Sequence, residues 1–201
     1  SSGAGIYFIN ANTGALIFSA TPAVASSSNL SVPGMTDSMP GTVATLDSDG
    51  DGKIDRVYAG DTGGNIWRMD LSSTNKTEWS IYKFANLGSD SVQSADRRFF
   101  TQPVIVRTIN KEVTRTTVNG KDQYTYKERP FDAVLIGSGD RNRPSSEKKK
   151  KNAYFMLRDY NVIAKNYQTN TPTPLLVSDL YDVTSDPLIG KTTDADILNV
   201  R

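Results

Sequence analysis

The chain has 201 residues, which can bury a normal core in one or two domains. Its acidic and basic residues nearly cancel, 22 against 23, so the charge balance favours neither nucleic acid nor a membrane surface as a partner. Cysteine and histidine are both absent. Their absence excludes disulfides, thiolate or imidazole metal ligands, and the Ser-His-Asp and Cys-His catalytic systems.

The first half of the chain predicts short β-strands separated by Gly, Asn, Asp and Pro. Residues 6–9 and 15–18 flank a turn that contains Gly14 and predict a hairpin. After a Ser- and Pro-rich connection, four strands joined by short turns are expected at residues 42–46, 56–59, 65–70 and 79–84. The chain opens directly on strand-like sequence without a signal peptide, so we expect a piece of a longer protein.

The second half of the chain repeats this pattern, with expected strands at residues 102–107, 113–118, 123–127, 131–136 and 153–157. Asn119-Gly120 predicts a type I′ hairpin turn. No segment has the pattern of an amphipathic helix, although residues 91–98 could hold one turn, and residues 160–201 show no clear strand pattern. Four lysines at 148–151 lack interleaved aromatic residues and predict a solvated loop rather than a polyanion site.

Three segments share a weak signature, in which a turn leads into an aliphatic and aromatic strand that ends in Asp or Asn: residues 5–10, 64–70 and 152–159. Such self-similarity predicts propeller blades, which stack because one sheet cannot bury both of its faces alone. We therefore expect an all-β fold, a partial β-propeller with about two to three blades of antiparallel strands. An unrelated β-sandwich is the alternative.

The whole chain, residues 1–201, is expected to form part of one propeller domain. The approximate blade boundaries are 1–20, 40–85 and 100–160, and residues 160–201 are irregular or belong to a further blade. Trp67 and Trp79 are expected in the core between blades rather than on a ligand platform. Three aspartates at predicted turns are expected to accept backbone hydrogen bonds and are assigned no chemistry, namely Asp61, Asp70 and Asp140.

The Asp-rich loop, residues 47–55, has the spacing of a calcium-binding loop. Carboxylates occupy positions 1, 3, 5 and 9, and a peptide carbonyl falls at position 7; these candidate ligands are Asp47, Asp49, Asp51, Asp55 and the carbonyl of Lys53. Gly52 at position 6 permits the sharp bend that a side chain would obstruct. Carboxylates this close repel one another, and a divalent cation removes that cost.

The kind of ion follows from the donors. Oxygen ligands without soft donors disfavour Zn²⁺, and a flexible cage suits Ca²⁺ better than Mg²⁺. The loop departs from the helical EF-hand, because Tyr58 stands at position 12 and the flanking segments are strand-like. A hairpin turn of Asp and Gly residues without a metal is the alternative.

The Asp-x-Asp-x-Asp-Gly-x-x-Asp pattern resembles the calcium loops of integrin-α and related bacterial propeller blades. A longer stretch, residues 46–71, resembles the signature blade of the PilY/PilC family of type IV pilus tip proteins. Residues 102–106 and 134–140 lie where the next blade of that family would place them. The likeness covers roughly residues 40–160.

This resemblance implies a large exported protein at the pilus tip, cell surface or outer membrane of a Gram-negative bacterium. It implies a modified, quinoprotein-like propeller with one calcium loop, whose occupancy regulates pilus extension against retraction, twitching motility and adhesion. The implied partners are pilin subunits or minor pilins, and host or abiotic surface ligands, with no nucleic acid and no membrane insertion. We expect no enzymatic activity. The alternatives are a calcium-stiffened adhesin or carbohydrate-binding propeller, and a fragment of a quinoprotein-type dehydrogenase.

Overall fold

A computed structural model describes residues 3–89, 91–142, 144, 149–186 and 189–193 of the chain. Over these residues the fold is all-β, as predicted, with three short 3-10 turns beside the strands. The strands in chain order are β1 (Ile6–Ile9), β2 (Leu16–Thr21), β3 (Asn29–Ser31), β4 (Ala44–Leu46), β5 (Arg56–Gly60), β6 (Asn65–Asp70), β7 (Ser80–Asn86), β8 (Val104–Val118), β9 (Lys121–Gly137), β10 (Tyr154–Asp159) and β11 (Leu175–Leu176).

The strands of the described residues form three sheets. The first sheet has the order β1-β2-β3, the second β11-β7-β6-β5-β4, and the third β10-β9-β8. Neighbours in sequence pair antiparallel within each sheet, except that β3 and β11 join their sheets as parallel edge strands. Several antiparallel sheets without a closed barrel, in the described part of the chain, agree with the predicted partial propeller.

Two edge strands were not predicted. β3 is three residues long and lies inside the Ser- and Pro-rich connection, where it pairs with β2. β11 is two residues long and pairs Leu175 with Ala85 of β7. Strands this short cannot show an alternating pattern, so only the partner strand defines them.

The third sheet corrects the predicted strand count. The breaks predicted near residues 108–112 and 128–130 are wrong, because β8 and β9 pair continuously from Val104↔Leu135 to Val118↔Lys121. The predicted turn at Asn119-Gly120 is confirmed, with φ angles of 53° and 74°. Because β10 pairs only with residues 132–137 of β9, the rest of the hairpin is a two-stranded ribbon.

The sheets pack on one another through shared apolar clusters. One cluster joins the second and third sheets and includes Tyr58, Phe84 and Val134. Another joins the first and second sheets, where the ring of Trp79 lies 5.1 Å from that of Phe8. Sheets that bury their faces against their neighbours are the packing expected of blades.

The predicted positions of both tryptophans are confirmed. Trp79 contacts Phe8 and Phe18 of the first sheet. Trp67 is 3% exposed and packs with Ala4 and Met35. Both rings therefore belong to the core between sheets, not to an open ligand platform.

The blade boundaries themselves remain a prediction. The first sheet continues to Ser31, beyond the expected limit at 20, and β11 adds a strand from the region 160–201 to the second sheet. Residues 194–201 and Lys148 of the predicted solvated loop lie outside the described residues. Lys150 of that loop is not free in solvent, because its ammonium lies 2.6 Å from Asp96 and 3.4 Å from Asp140.

Candidate metal centre

The Asp-rich loop connects β4 to β5 in the second sheet. Its base is closed by backbone hydrogen bonds, in which the amide of Asp55 donates to Leu46 over 2.9 Å and the amide of Leu71 donates to Asp55 over 2.7 Å. Gly50 and Gly52 have φ angles of 82° and 84°, in the left-handed region that side chains disfavour. These two glycines let the loop curl tightly enough for its side chains to face inward.

Three of the predicted ligands converge in this loop. Asp47, Asp49 and Asp55 each present a carboxylate oxygen, and these oxygens lie within 4.8 Å of one another. Like charges in water at about 4 Å repel by about 1 kcal/mol per pair, and more where water is partly excluded. The arrangement therefore favours a cation among the three side chains.

Backbone amides hold these carboxylates in place. Asp47 accepts hydrogen bonds from the amides of Gly50 at 2.7 Å and Gly52 at 2.8 Å. Asp55 accepts one from the amide of Ser48 at 2.5 Å. Each carboxylate oxygen keeps further lone pairs, so these bonds orient the side chain and leave it able to bind an ion.

Asp51 lies apart from this convergent group. Its carboxylate accepts from the Lys53 ammonium at 2.6 Å and from the Lys53 amide at 2.8 Å. The hydrogen bond from the Lys53 side chain is the main cause that lowers the pKa of Asp51, and the same bond raises the pKa of Lys53. Ligation by Asp51 and by the Lys53 carbonyl remains a prediction.

The residues present fit a hard divalent cation. The convergent donors are carboxylate oxygens, which suit Ca²⁺ or Mg²⁺ and not the soft or imidazole-bound metals. Such an ion would be held by Asp47, Asp49 and Asp55. Asp51 could join them by exchanging the Lys53 ammonium for the ion. The ion would supply positive charge that offsets the repulsion within the loop.

Four residues around the loop were missed as functional residues at the sequence level. Ser48 donates to Asp55 through its amide and accepts from Arg56 and Arg107 through its hydroxyl and carbonyl oxygens. Both arginines also bind Asp132. Arg56 directly follows the loop, so its position in the sequence shows that its charge lies near the carboxylates. Arg107 and Asp132 lie far along the chain and carry no local signal.

The turn aspartates behave largely as predicted. Asp61 accepts from the amides of Gly63 and Asn65 and from the indole N–H of Trp67. Asp140 accepts from the amide of Asn142. Burial raises the pKa of Asp61 above its ordinary value, and the hydrogen bonds that it accepts oppose that effect.

The prediction that Asp70 lies in a turn is wrong, because Asp70 is the last residue of β6 and is fully buried. It accepts from the amide of Lys165 at 3.2 Å and also forms a fully buried ion pair with Arg68 at 2.6 Å. Arg68 reaches across to Asp159 of the third sheet at 2.5 Å. The second and third sheets are therefore joined by buried charges as well as by apolar packing.

Two comparisons with known proteins show what this chain is similar to. The family described as the PilY1 beta-propeller domain matches residues 10–140, which include the Asp-rich loop and most of the three sheets. A curated relative from Xylella fastidiosa, named Type IV pilus biogenesis factor PilY1 homolog, is 43% identical over 49 residues.

That alignment covers 24% of this chain and 3% of the relative, so the chain spans a small part of the curated protein that it matches. No solved structure matches the chain. Among the described residues, no helix is both long and apolar enough to cross a membrane.

Proposed function

Because this chain belongs to the PilY1 beta-propeller domain family, we propose that it is a calcium-binding, non-enzymatic module of a type IV pilus biogenesis protein. The protein would be exported and located at the pilus tip, the cell surface or the outer membrane. Its partners would be pilin subunits or minor pilins, together with host or abiotic surface ligands.

One observation supports the calcium site above all others. Three carboxylates from a single hairpin loop converge within 4.8 Å, inside the segment that matches the family. Calcium prefers six to eight oxygen ligands, so Asp51, the Lys53 carbonyl and water would complete the shell. The loop joins β4 to β5, so binding would order one end of the second sheet.

The regulatory role follows from this coupling of ion and order. A loop whose carboxylates repel one another is less ordered without calcium, and calcium binding would stabilise the blade that presents it. We propose that this change alters docking to the pilus and thereby regulates extension, retraction, twitching motility and adhesion.

A calcium titration tests the site. At free calcium near 100 times the dissociation constant, the wild-type chain is expected to melt about 5–10 °C higher than in chelator. Asp47→Ala should lose that shift, because it removes a convergent carboxylate that also holds two loop amides. Glu128→Ala, which removes an exposed carboxylate from the ribbon, should keep it.

Isothermal titration with Ca²⁺ and Mg²⁺ gives the second readout. We expect heat of binding for the wild type and for Glu128→Ala. We expect none for Asp47→Ala. Identical melting shifts and identical heats for Asp47→Ala and the wild type would contradict the proposed site.

The biological role needs a separate experiment in the parent bacterium. The same two substitutions would be placed in the full-length protein, and surface pili and twitching motility would be measured. Asp47→Ala should change the number of surface pili or the twitching zone at normal protein abundance, and Glu128→Ala should not. Wild-type piliation and motility in the strain with Asp47→Ala would reject the regulatory role. The proposal that the loop binds calcium would not be affected, because the two titrations test it separately.

A further inference from the structure

Ser48 connects the Asp-rich loop to the third sheet. It lies between two convergent aspartates, and all three of its polar groups are engaged. Its amide donates to Asp55 at 2.5 Å, its hydroxyl accepts from Nε of Arg56 at 3.0 Å, and its carbonyl accepts from Arg107 at 2.8 Å. A shift of this one residue would therefore change the hydrogen bonds of a candidate metal-binding carboxylate and of two arginines.

The two arginines meet on the same acceptors in the third sheet. Arg56 donates to Asp132 at 2.6 Å and to the carbonyl of Val162 at 3.0 Å. Arg107 donates to Asp132 at 2.9 and 3.2 Å and to the same carbonyl at 3.0 Å. Asp132 is fully buried on β9, and Val162 follows β10. One carboxylate and one carbonyl thus hold both guanidinium groups.

We propose that Arg56 and Arg107 are positioning residues that couple metal binding in the Asp-rich loop to the packing of the second sheet on the third. This inference rests on the proposed calcium site and names how that site is regulated. Calcium would favour the loop conformation in which the Ser48 carbonyl faces Arg107. The hydrogen bonds from Arg56 and Arg107 to Asp132 would favour the same conformation. Coupling of this kind is reciprocal. Calcium binding would therefore strengthen the packing of the second sheet on the third, and that packing would strengthen calcium binding.

The geometry of arginine explains why this residue type serves here. Its planar fork can bind a carboxylate with two N–H groups and still reach a further acceptor. Arg107 uses that capacity, since it binds Asp132 through two nitrogens and Ser48 through a third. Glutamine at this position would lose both the charge and the fork.

The test compares Arg107→Gln with a matched control, Arg115→Gln. Arg115 lies on the same strand and pairs with Asp122 at 2.6 Å in the exposed ribbon. Isothermal titration with Ca²⁺ measures the dissociation constant of the full chain. Hydrogen exchange of the peptide that contains residues 159–163 is measured with calcium and with chelator.

In the wild type and in Arg115→Gln, calcium should slow exchange in this peptide, although it lies outside the loop. Arg107→Gln should weaken calcium binding about fivefold or more, the size of a typical coupling between sites, and should remove the change in exchange. Arg107→Lys is a milder variant, because it keeps the charge but not the planar fork. It should lose less calcium affinity than Arg107→Gln and keep part of the change in exchange.

The outcomes separate this inference from the proposed function. A wild-type chain that takes up no calcium would overturn both. Normal calcium affinity and a normal change in exchange in Arg107→Gln and Arg107→Lys would overturn only the coupling, because the calcium site would then work without the link.

Discussion

Two local effects place the carboxylates of the Asp-rich loop. Their spacing along the chain brings three of them together, and pairing with a neighbouring lysine sets the fourth apart. Spacing along the chain correctly indicated that the carboxylates of Asp47, Asp49 and Asp55 converge, and their binding of an ion stays a prediction. It did not indicate that the ammonium of Lys53 would lie 2.6 Å from Asp51. Ligation by Asp51 stays a prediction, and the ammonium of Lys53 competes with a metal ion for that carboxylate.

Removing this competing ammonium should therefore strengthen calcium binding. Lys53→Met keeps the peptide carbonyl and the length of the side chain but frees Asp51. The expected gain in affinity is about two- to fivefold, since exposed ion pairs contribute little in water. Isothermal titration with Ca²⁺ at low ionic strength measures it.

The matched control is Lys111→Met, which removes an exposed lysine that pairs with Glu128 at 3.5 Å. Its calcium affinity should equal that of the wild type. Weaker binding by Lys53→Met would show that the lysine side chain supports the ion site and does not compete with it.

At the scale of elements, glycine decides how closely one turn approaches another. Gly64, in the turn between β5 and β6, has a φ angle of 80°. A Cβ at this position would lie 2.5 Å from the Cα of Gly88 and 2.7 Å from its backbone nitrogen. The turn packs directly on the backbone that follows β7, and there is no flexible side chain that could move away.

Gly64→Ala should therefore destabilise the fold more than an ordinary glycine substitution. The left-handed φ costs about 1 kcal/mol and the backbone clash adds about 2 kcal/mol or more. Gly14→Ala is the control, because Gly14 has a φ angle of 72° and no heavy atom within 4 Å of its added Cβ. Urea unfolding gives both free energies, and equal losses for the two variants would contradict the close approach.

The ribbon shows the limit of periodic patterns at this scale. Alternation and the Asn119-Gly120 turn were sufficient to predict the hairpin. They could not show that its strands continue unbroken into the buried part of the sheet, because a period of two is the same in a paired ribbon and in a blade. The pairing of β9 with β8 and β10 determines where the three-stranded part of the sheet ends.

At the scale of the whole molecule, buried charge joins the second and third sheets. Arg56 and Asp132 form an ion pair at 2.6 Å in which neither side chain is exposed. Burial acts to raise the pKa of Asp132, but hydrogen bonds from Arg107 and Arg56 outweigh it and hold the pKa below its ordinary value. Asp132 therefore contributes stability that depends on pH.

The sign of this dependence follows from the lowered pKa. The contribution is complete above the ordinary pKa of aspartate, about 4, and is lost as the pH falls through the lower folded value. Asp132→Asn should be less stable than the wild type by about 3 kcal/mol at pH 7, because it leaves two arginines without their shared carboxylate. That difference should shrink below about pH 4.

Urea unfolding of both proteins from pH 3 to pH 7 measures the difference. Glu128→Gln, in the exposed ribbon, should differ little from the wild type across the range. A difference between Asp132→Asn and the wild type that stays constant down to pH 3 would show that the charge of Asp132 does not hold the sheets together.

Features that depend on near neighbours could be predicted from the amino-acid sequence. The all-β character, the hairpin turn and the bend at Gly52 all follow from side-chain alternation and backbone freedom over a few residues. The tertiary structure alone decided which distant groups meet. Arg107 reaches Ser48 across 59 residues and Arg56 reaches Asp132 across 76. Such partners depend on strand register and on how sheets stack, and local spacing carries no information about either.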